Sequence, residues 1–297
     1  MDRFRENIDD LLADNHSGSG KLLESLVGAI GELVSGQEEE CSVDAGLLRE
    51  QLSGIIREKP HFLVLHHFIN ELLRVTGRER SLPCSQVRAF IDRYRKRWGK
   101  AEALIASYLE QAVSLNGKTV LLHSNSKTVC SMFGGQGLTG SGIRIIQTES
   151  RPVNEGRLQA EYLAKLGFEV TLVTDASVTR SARKADFALL GADAVYPGTF
   201  INKSGSYSIA LACREFGKDC LVVCDSRKLW LNQAGGSTFD ASFGEPAPPE
   251  EVWQGAPDNL EIENHYFEQI PNSLVTSFIF EDRIVAGAKI GELIHHR

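Results

Sequence analysis

Nowhere does the 297-residue chain reach the ~18 consecutive apolar residues that a membrane-spanning helix requires, which excludes insertion through such a helix. Its first residues, Met1-Asp2-Arg3-Phe4-Arg5-Glu6, lack the apolar centre of a secretory signal, so a cytoplasmic location is expected. Positive charge is in short supply: 32 Lys and Arg face 39 Asp and Glu, a formal charge of -7. That balance argues against direct nucleic-acid binding and against an anionic membrane surface, and leaves any bound anion to a local pocket. Hydrolase signatures are missing too, with neither a Gly-x-Ser-x-Gly elbow nor a His-Glu-x-x-His helix. The six cysteines, Cys41, Cys84, Cys130, Cys213, Cys220 and Cys224, have no loop-rich framework around them and no zinc-spaced partners. Reduced thiols and no metal site are expected, with Cys220 and Cys224 as buried structural thiols.

What is present is core material. A hydrophobic fraction of 42% with 24% charged residues and 27 glycines places the chain among globular proteins that fold without metals. The length is about twice the ~150 residues of a typical domain, which favours two packed units or one large α/β domain. The first third reads as helices. Leu22, Leu23, Leu26, Val27, Ile30, Leu33 and Val34 recur at helical spacing before Gly36. Pro60 is expected in the first turn of a helix over 62–75 that stops at Gly77. Val87, Phe90, Ile91, Tyr94 and Trp98 form another stripe, leaving Arg93, Arg95, Lys96 and Arg97 as a solvated face. Glu38-Glu39-Glu40 reads as a solvated linker, and His66-His67 as packing residues inside a helix. A last helix over 101–115 ends at Asn116-Gly117.

From Lys118 the period changes. Short apolar runs at 119–123, 144–148, 168–173, 187–191 and 220–224 alternate with helical stretches at 155–166, 177–184 and 206–216. Such alternation implies a doubly wound, mostly parallel sheet covered by helices on both faces. The expected organisation is therefore α/β: a helical N-terminal domain over 1–116, then a Rossmann-like domain over 117–297. Residues 235–264, with Gly235-Gly236, Pro246, Pro248 and Pro249, read as a long loop that is either a lid or an insertion. A final strand over 274–280 and a helix around Ile290 close the chain.

Ligands of open parallel sheets bind at the carboxyl ends of the strands. The residues expected there are His123-Ser124-Asn125-Ser126, Glu149-Ser150-Arg151 with Glu155, Gly191-Ala192-Asp193, the loop Gly198 to Gly205 with Asn202 and Lys203, and Asp225-Ser226-Arg227-Lys228. One carboxylate, several cations and many small donors converging on one rim suit a phosphorylated polyol, because arginine grips phosphate through a planar fork and lysine adds a point charge. Polar strand ends and caps of any doubly wound fold look similar, so the spacing leaves both readings open.

Glu149-Ser150-Arg151-Pro152 with Gly156-Arg157, Val173-Thr174-Asp175-Ala176-Ser177, Gly191-Ala192-Asp193 and Asn202-Lys203-Ser204-Gly205, in that order, closely resemble the translation initiation factor 2B alpha/beta/delta superfamily. That superfamily includes ribose-1,5-bisphosphate isomerase and 5-methylthioribose-1-phosphate isomerase. The likeness runs from about Leu121 to Lys228 and more weakly over 270–284. It implies that Asn202 and Lys203 contact a phosphorylated sugar or nucleotide and that Arg151 faces its phosphate, and Asn125, Ser126, Glu155 and Lys228 join the expected binding set from their places on the rim. It also implies that Ser17-Gly18-Ser19 belong to a segment that closes over the pocket, and that the protein is a homodimer or higher homo-oligomer. Ser17-Gly18-Ser19-Gly20-Lys21 does not have the spacing of a nucleotide-binding P-loop. No cofactor is implied.

Two departures from the isomerase pattern stand out. Ser124 occupies the position of a cysteine that works with the aspartate matched here by Asp193, and Glu155 stands where glutamine is usual. A thiol with a pKa of ~8.5 is readily tuned for proton transfer, whereas a serine hydroxyl resists ionisation without an adjacent base. Cys130 lies along the next helix and is not an obvious substitute. Two readings follow: a ligand-binding, regulatory protein of the initiation factor 2B alpha type, or an aldose–ketose isomerase of a phosphorylated ribose.

Overall fold

A computed structural model describes residues 2–14, 17–35, 41–77, 79–135, 138, 141–230 and 246–295. Two expectations, the stop at Gly36 and the linker Glu38-Glu39-Glu40, lie outside these residues, as does 235–245 of the expected loop. The chain divides after Lys100 into two compact units.

The first unit contains α1 (Asp2–Ala13), α2 (Ser19–Leu33), β1 (Ser42–Asp44), α3 (Ala45–Glu58), α4 (Leu63–Thr76), β2 (Ser81–Pro83) and α5 (Cys84–Trp98). Helical spacing turns Leu22, Leu26 and Ile30 of α2, Leu48, Leu52 and Ile55 of α3, and Phe68 and Leu72 of α4 inward, where all are fully buried. Each such side chain contributes roughly 1.5–3 kcal/mol through removal from water. Phe68 meets Tyr94 of α5 edge-on at 4.9 Å. Asp44 caps α3 by accepting from the Leu47 N–H at 2.9 Å. Gly77, at φ +55, ends α4 as expected. Pro60 does not enter that helix, which begins three residues later at Leu63; it forms the turn ahead of it.

The expectation of reduced thiols is corrected at one pair. β1 and β2 pair antiparallel, and their flanking cysteines, Cys41 and Cys84, are joined as a disulfide. Cys213, Cys220 and Cys224 are free and buried, and Cys130 is free and partly buried.

The second unit starts with α6 (Ala101–Ala112), then β3 (Thr119–Leu122), α7 (Lys127–Gly135), β4 (Arg144–Thr148), α8 (Gly156–Lys165), β5 (Glu169–Val173), α9 (Val178–Lys184), β6 (Phe187–Leu190), β7 (Ala194–Val195), β8 (Thr199–Lys203), α10 (Ser206–Glu215), β9 (Asp219–Val223), β10 (Phe267–Pro271), β11 (Ser277–Ile279), β12 (Ile284–Ala286) and α11 (Ile290–His295). The boundary expected at Asn116 moves to Lys100, because α6 buries Ile105 and Leu109 against Val120 and Leu122 of β3. The strand order is β12-β11-β9-β6-β3-β4-β5, parallel throughout except for β12. Alternation along each strand divides the apolar residues between two cores. Val120, Leu122, Phe187 and Leu189 face α6, α7 and α8, whereas Leu121, Ala188, Leu190 and Val222 face α9 and α10.

One stretch differs from its expected form. Residues 198–205, read as a ligand-carrying loop, contain strand β8, the centre of a second, antiparallel sheet of order β10-β8-β7. Its pairing partner β10 comes much later in the chain. Of the expected loop, 246–264 holds a short 3-10 turn at Pro249–Glu251 and is pinned by Ala247 N–H donating to the Asn264 carbonyl at 2.8 Å. Among the described residues, no helix is long and apolar enough to cross a membrane.

Candidate active site

Strand β3 lies inside the large sheet, between β6 and β4. From it the chain steps outward through β4 and β5, then returns to lay β6 on the other side of β3. The order therefore reverses between β3 and β6, and outside their carboxyl ends lies the crevice in which open sheets of this kind take their ligands. Ser124 follows β3 and Asp193 follows β6, one on each side of it.

The turn after β3 is tightly held. Ser124 adopts φ +64 and its N–H donates to Ser150 Oγ at 2.8 Å. Beneath it two buried amides interlock: Ser126 N–H donates to Gln159 Oε1 at 2.9 Å, Gln159 Nε2 to Gln147 Oε1 at 2.8 Å, and Gln147 Nε2 to the Ser124 carbonyl at 3.1 Å. His123 is fully buried and neutral, since desolvation lowers its pKa from 6.5 to about 4. The partners assign its tautomer: Nδ1 accepts from Thr148 Oγ1 at 2.6 Å and Nε2–H donates to the Ser204 carbonyl at 2.9 Å. It ties three strand ends together rather than exchanging protons.

The turn after β4 is shaped from outside. Asp175 accepts the backbone N–H groups of Ser150 and Arg151 at 2.9 and 2.7 Å. Gly156 must be glycine, because a β carbon there would sit 2.0 Å from the Thr148 carbonyl oxygen. This close approach delivers Glu155, at the start of α8, to the crevice.

Glu155 gathers the predicted residues. Ser124 Oγ donates to its Oε1 at 3.0 Å, and Lys203 Nζ, at the end of β8, lies 3.2 Å from the same oxygen. Glu155 Oε2 is buried with no hydrogen-bond partner. Desolvation pushes the Glu155 carboxyl above its ordinary range while Lys203 pulls it back. Desolvation likewise lowers Lys203, and Glu155 opposes that shift. The ammonium sits over the Tyr266 ring at 5.2 Å, and the Tyr266 hydroxyl donates to Glu251 at 2.6 Å. Sequence reasoning missed Tyr266 and Glu251, which sit in or just after the stretch without periodicity.

The other predicted residues separate. Lys228, buried, donates to the Ala192 carbonyl next to Asp193. Arg151 is exposed, its guanidinium donating to the Val252 carbonyl at 2.8 Å. Asn202 is buried and donates to Ser206 Oγ at 2.8 Å. Asn125 is exposed beside Cys130, whose thiol burial pushes up to about 11, so Cys130 does not supply the thiol absent at Ser124. Ser17, Gly18 and Ser19 belong to the first unit, where Gly18 precedes α2 and Ser17 N–H donates to Asp14 Oδ1 at 2.8 Å.

At two strand ends the N–H groups that open the following helical turn are taken by carboxylates of the chain itself. The Gly205 and Tyr207 N–H groups at α10 donate to Glu268 Oε1 at 2.8 and 2.7 Å. The Ser226 N–H donates to Glu281 at 2.9 Å, and Arg227 is engaged by Asp225. Among the described residues, no group of three His, Cys, Asp or Glu is arranged to hold a metal.

Comparisons with known proteins show which family and fold the chain shares. A model of the initiation factor 2 subunit family matches residues 24–284. The ribose 1,5-bisphosphate isomerase of Methanocaldococcus jannaschii is 26% identical over 287 residues, covering 95% of this chain and 91% of that protein. Among solved structures, a translation initiation factor eIF-2B of Pyrococcus horikoshii OT3 superposes with a TM-score of 0.77 at 22% identity, over 96% of this chain and 98% of that one. The 5-methylthioribose 1-phosphate isomerase of the same organism gives a TM-score of 0.77 at 19% identity, over 99% and 88%.

Proposed function

The chain belongs to the initiation factor 2 subunit family, and from that premise we propose that its α/β unit isomerises a phosphorylated ribose between aldose and ketose, of the ribose 1,5-bisphosphate or methylthioribose 1-phosphate type. One observation carries the reading: Ser124 and Asp193 follow neighbouring strands on the two sides of the point where the sheet order reverses. An aldose–ketose shift needs one group to take a proton beside a carbonyl and another to give one, and Ser124 with Glu155 on one side and Asp193 on the other answer that need. Arg151, Lys203 and Lys228 supply positive charge around the crevice for the phosphate. The M. jannaschii relative, matched over nearly its full length, bears the name of this activity. The direct test is to incubate the protein with ribose 1,5-bisphosphate and follow ketose by phosphorus NMR. Turnover that disappears in Asp193→Asn is expected.

A second reading keeps the pocket and drops the reaction: a regulatory protein that binds a sugar phosphate or nucleotide monophosphate. The hydroxyl of Ser124 in place of a thiol favours it. Under that reading the ligand raises the melting temperature while turnover stays at background.

Under either reading the protein is a cytoplasmic homodimer formed through the α/β unit. The exposed apolar side chains of Leu158 and Tyr162 on α8 and of Leu172 on the edge strand β5 support this.

A further inference from the structure

Building on the isomerase reading, we propose that Glu155 is the proton acceptor of this site and that it receives the proton through the hydroxyl of Ser124. The two positions where the sequence departs from the isomerase pattern, 31 residues apart, are in direct contact: Ser124 Oγ donates to Glu155 Oε1 at 3.0 Å. A serine hydroxyl needs a neighbouring base before it can accept a proton from carbon, and this contact provides one.

A purely structural counter-ion for Lys203 would be expected to have both oxygens satisfied, because a buried charge is tolerated when its hydrogen bonds are complete. Glu155 does not meet that description. Its Oε1 takes both donors, and its Oε2 is buried with none. An incompletely solvated carboxylate is a better base than a fully bonded one. Burial raises its proton affinity and the Lys203 ammonium lowers it, an opposition that suits a group which must both take and return a proton.

The direction of transfer is set by the backbone. Ser124 is held at φ +64 with its N–H on Ser150, and Gly156 lets the start of α8 press against the end of β4. The hydroxyl therefore has one fixed acceptor and a partly exposed position at the strand end. In the step, the ring bond between C1 and O4 of the sugar 1-phosphate breaks, its electron pair going to O4, which takes a proton from Asp193. The proton on C2 passes to Ser124 Oγ while the hydroxyl proton passes to Glu155 Oε1, and the electron pair of the broken C–H bond becomes the C1–C2 double bond of an enol that keeps its phosphate on C1. The reverse relay then returns a proton from Glu155 through Ser124 to C1, while the C2 hydroxyl gives its proton back to Asp193 and C2 becomes the ketone carbonyl, so aldose and ketose differ by no atom.

The test is the pH dependence of ribose 1,5-bisphosphate turnover by the full chain and by Glu155→Gln, Glu155→Asp and Ser124→Ala. The charged and titratable groups that act on Glu155 are Lys203 on β8 and Tyr266 before β10, and Lys203 is in turn influenced by Glu251 on the 3-10 turn, Asp175 after β5 and His123 after β3. All are retained in these variants. Glu155→Gln is expected to lower kcat by about 10²–10⁴-fold, with KM changed less than about threefold and the acidic limb of the profile gone. Glu155→Asp should keep part of the activity and the limb. Ser124→Ala, which leaves the Glu155–Lys203 pair in place, should lose kcat to a similar degree. Glu155→Gln or Ser124→Ala turning over at the wild-type rate with an unchanged acidic limb overturns the relay and leaves the isomerase reading standing. Wild-type protein that turns over neither phosphorylated ribose overturns both.

Discussion

His123 and Gly205 are packed so closely that a β carbon on the glycine would stand 2.8 Å from ring Cε1 and 2.9 Å from Nε2. The glycine also has φ +108, a conformation that L side chains rarely adopt. The imidazole fills the space a side chain would need, and its Nε2–H holds the Ser204 carbonyl one residue earlier. The end of β3 and the turn between β8 and α10 are thereby fixed as one piece, which keeps Ser124 within reach of the residues around Lys203.

Gly205→Ala should therefore be costly on two counts, backbone conformation and collision with a buried ring. A loss on the order of 2 kcal/mol or more is expected, read as a lower urea midpoint with an unchanged slope. A midpoint equal to wild type would mean that the turn adapts freely.

Stability should fall as the medium is acidified from about pH 6.5 towards 4. The pKa of His123 is 6.5 when unperturbed and about 4 in the folded protein. Between those values the unfolded chain binds more protons, so the contribution is complete above the higher pKa and lost as pH drops through the lower one. Melting temperatures measured across this range should decline, and His123→Gln should decline less steeply.

Arg151 is a clean probe of the phosphate reading because it is exposed and its guanidinium donates to the Val252 carbonyl rather than to a carboxylate. Arg151→Ala should leave the melting temperature of the free protein nearly unchanged. The rise produced by ribose 1,5-bisphosphate should shrink, corresponding to roughly 10- to 100-fold weaker binding for a lost charge-assisted contact. An undiminished rise would remove Arg151 from the pocket.

Reducing Cys41–Cys84, which are 43 residues apart, releases a long loop in the unfolded chain. About 2–4 kcal/mol of stability in the first unit should be lost, visible as a lower denaturation midpoint with dithiothreitol and in Cys84→Ser. Since β1 and β2 already bring these residues together, the unit should remain folded.

The large sheet was legible because its central strands are buried on both faces, so each reads as a short unbroken apolar run between turn residues. The second sheet was not. Its strand β8, Thr199–Lys203, ends in polar residues and pairs with β10 far along the chain, and nothing local marks such a partner. Glu268 and Glu281 escaped notice for the same reason, being carboxylates that close helix starts from a distance. At the site, the residue types and rim positions could be read one at a time, and both unusual residues were visible. That Ser124 and Glu155 touch is a product of tertiary packing around Gly156, which no periodicity encodes. The disulfide was hidden because its two strands have three residues each, too few to establish an alternation.

The paired amides under Ser124 have a polarity. The Ser126 N–H can only give, so Gln159 must present its oxygen there and its nitrogen to Gln147, which in turn must give to the Ser124 carbonyl. The hydrogen bonds run one way around a closed circuit that begins and ends in the same turn. Rotating the peptide plane at Ser124 would require both buried glutamines to flip in concert. The aim of one small hydroxyl is thus written in the neighbouring strand and the helix that follows it, in a pair of fully buried side chains.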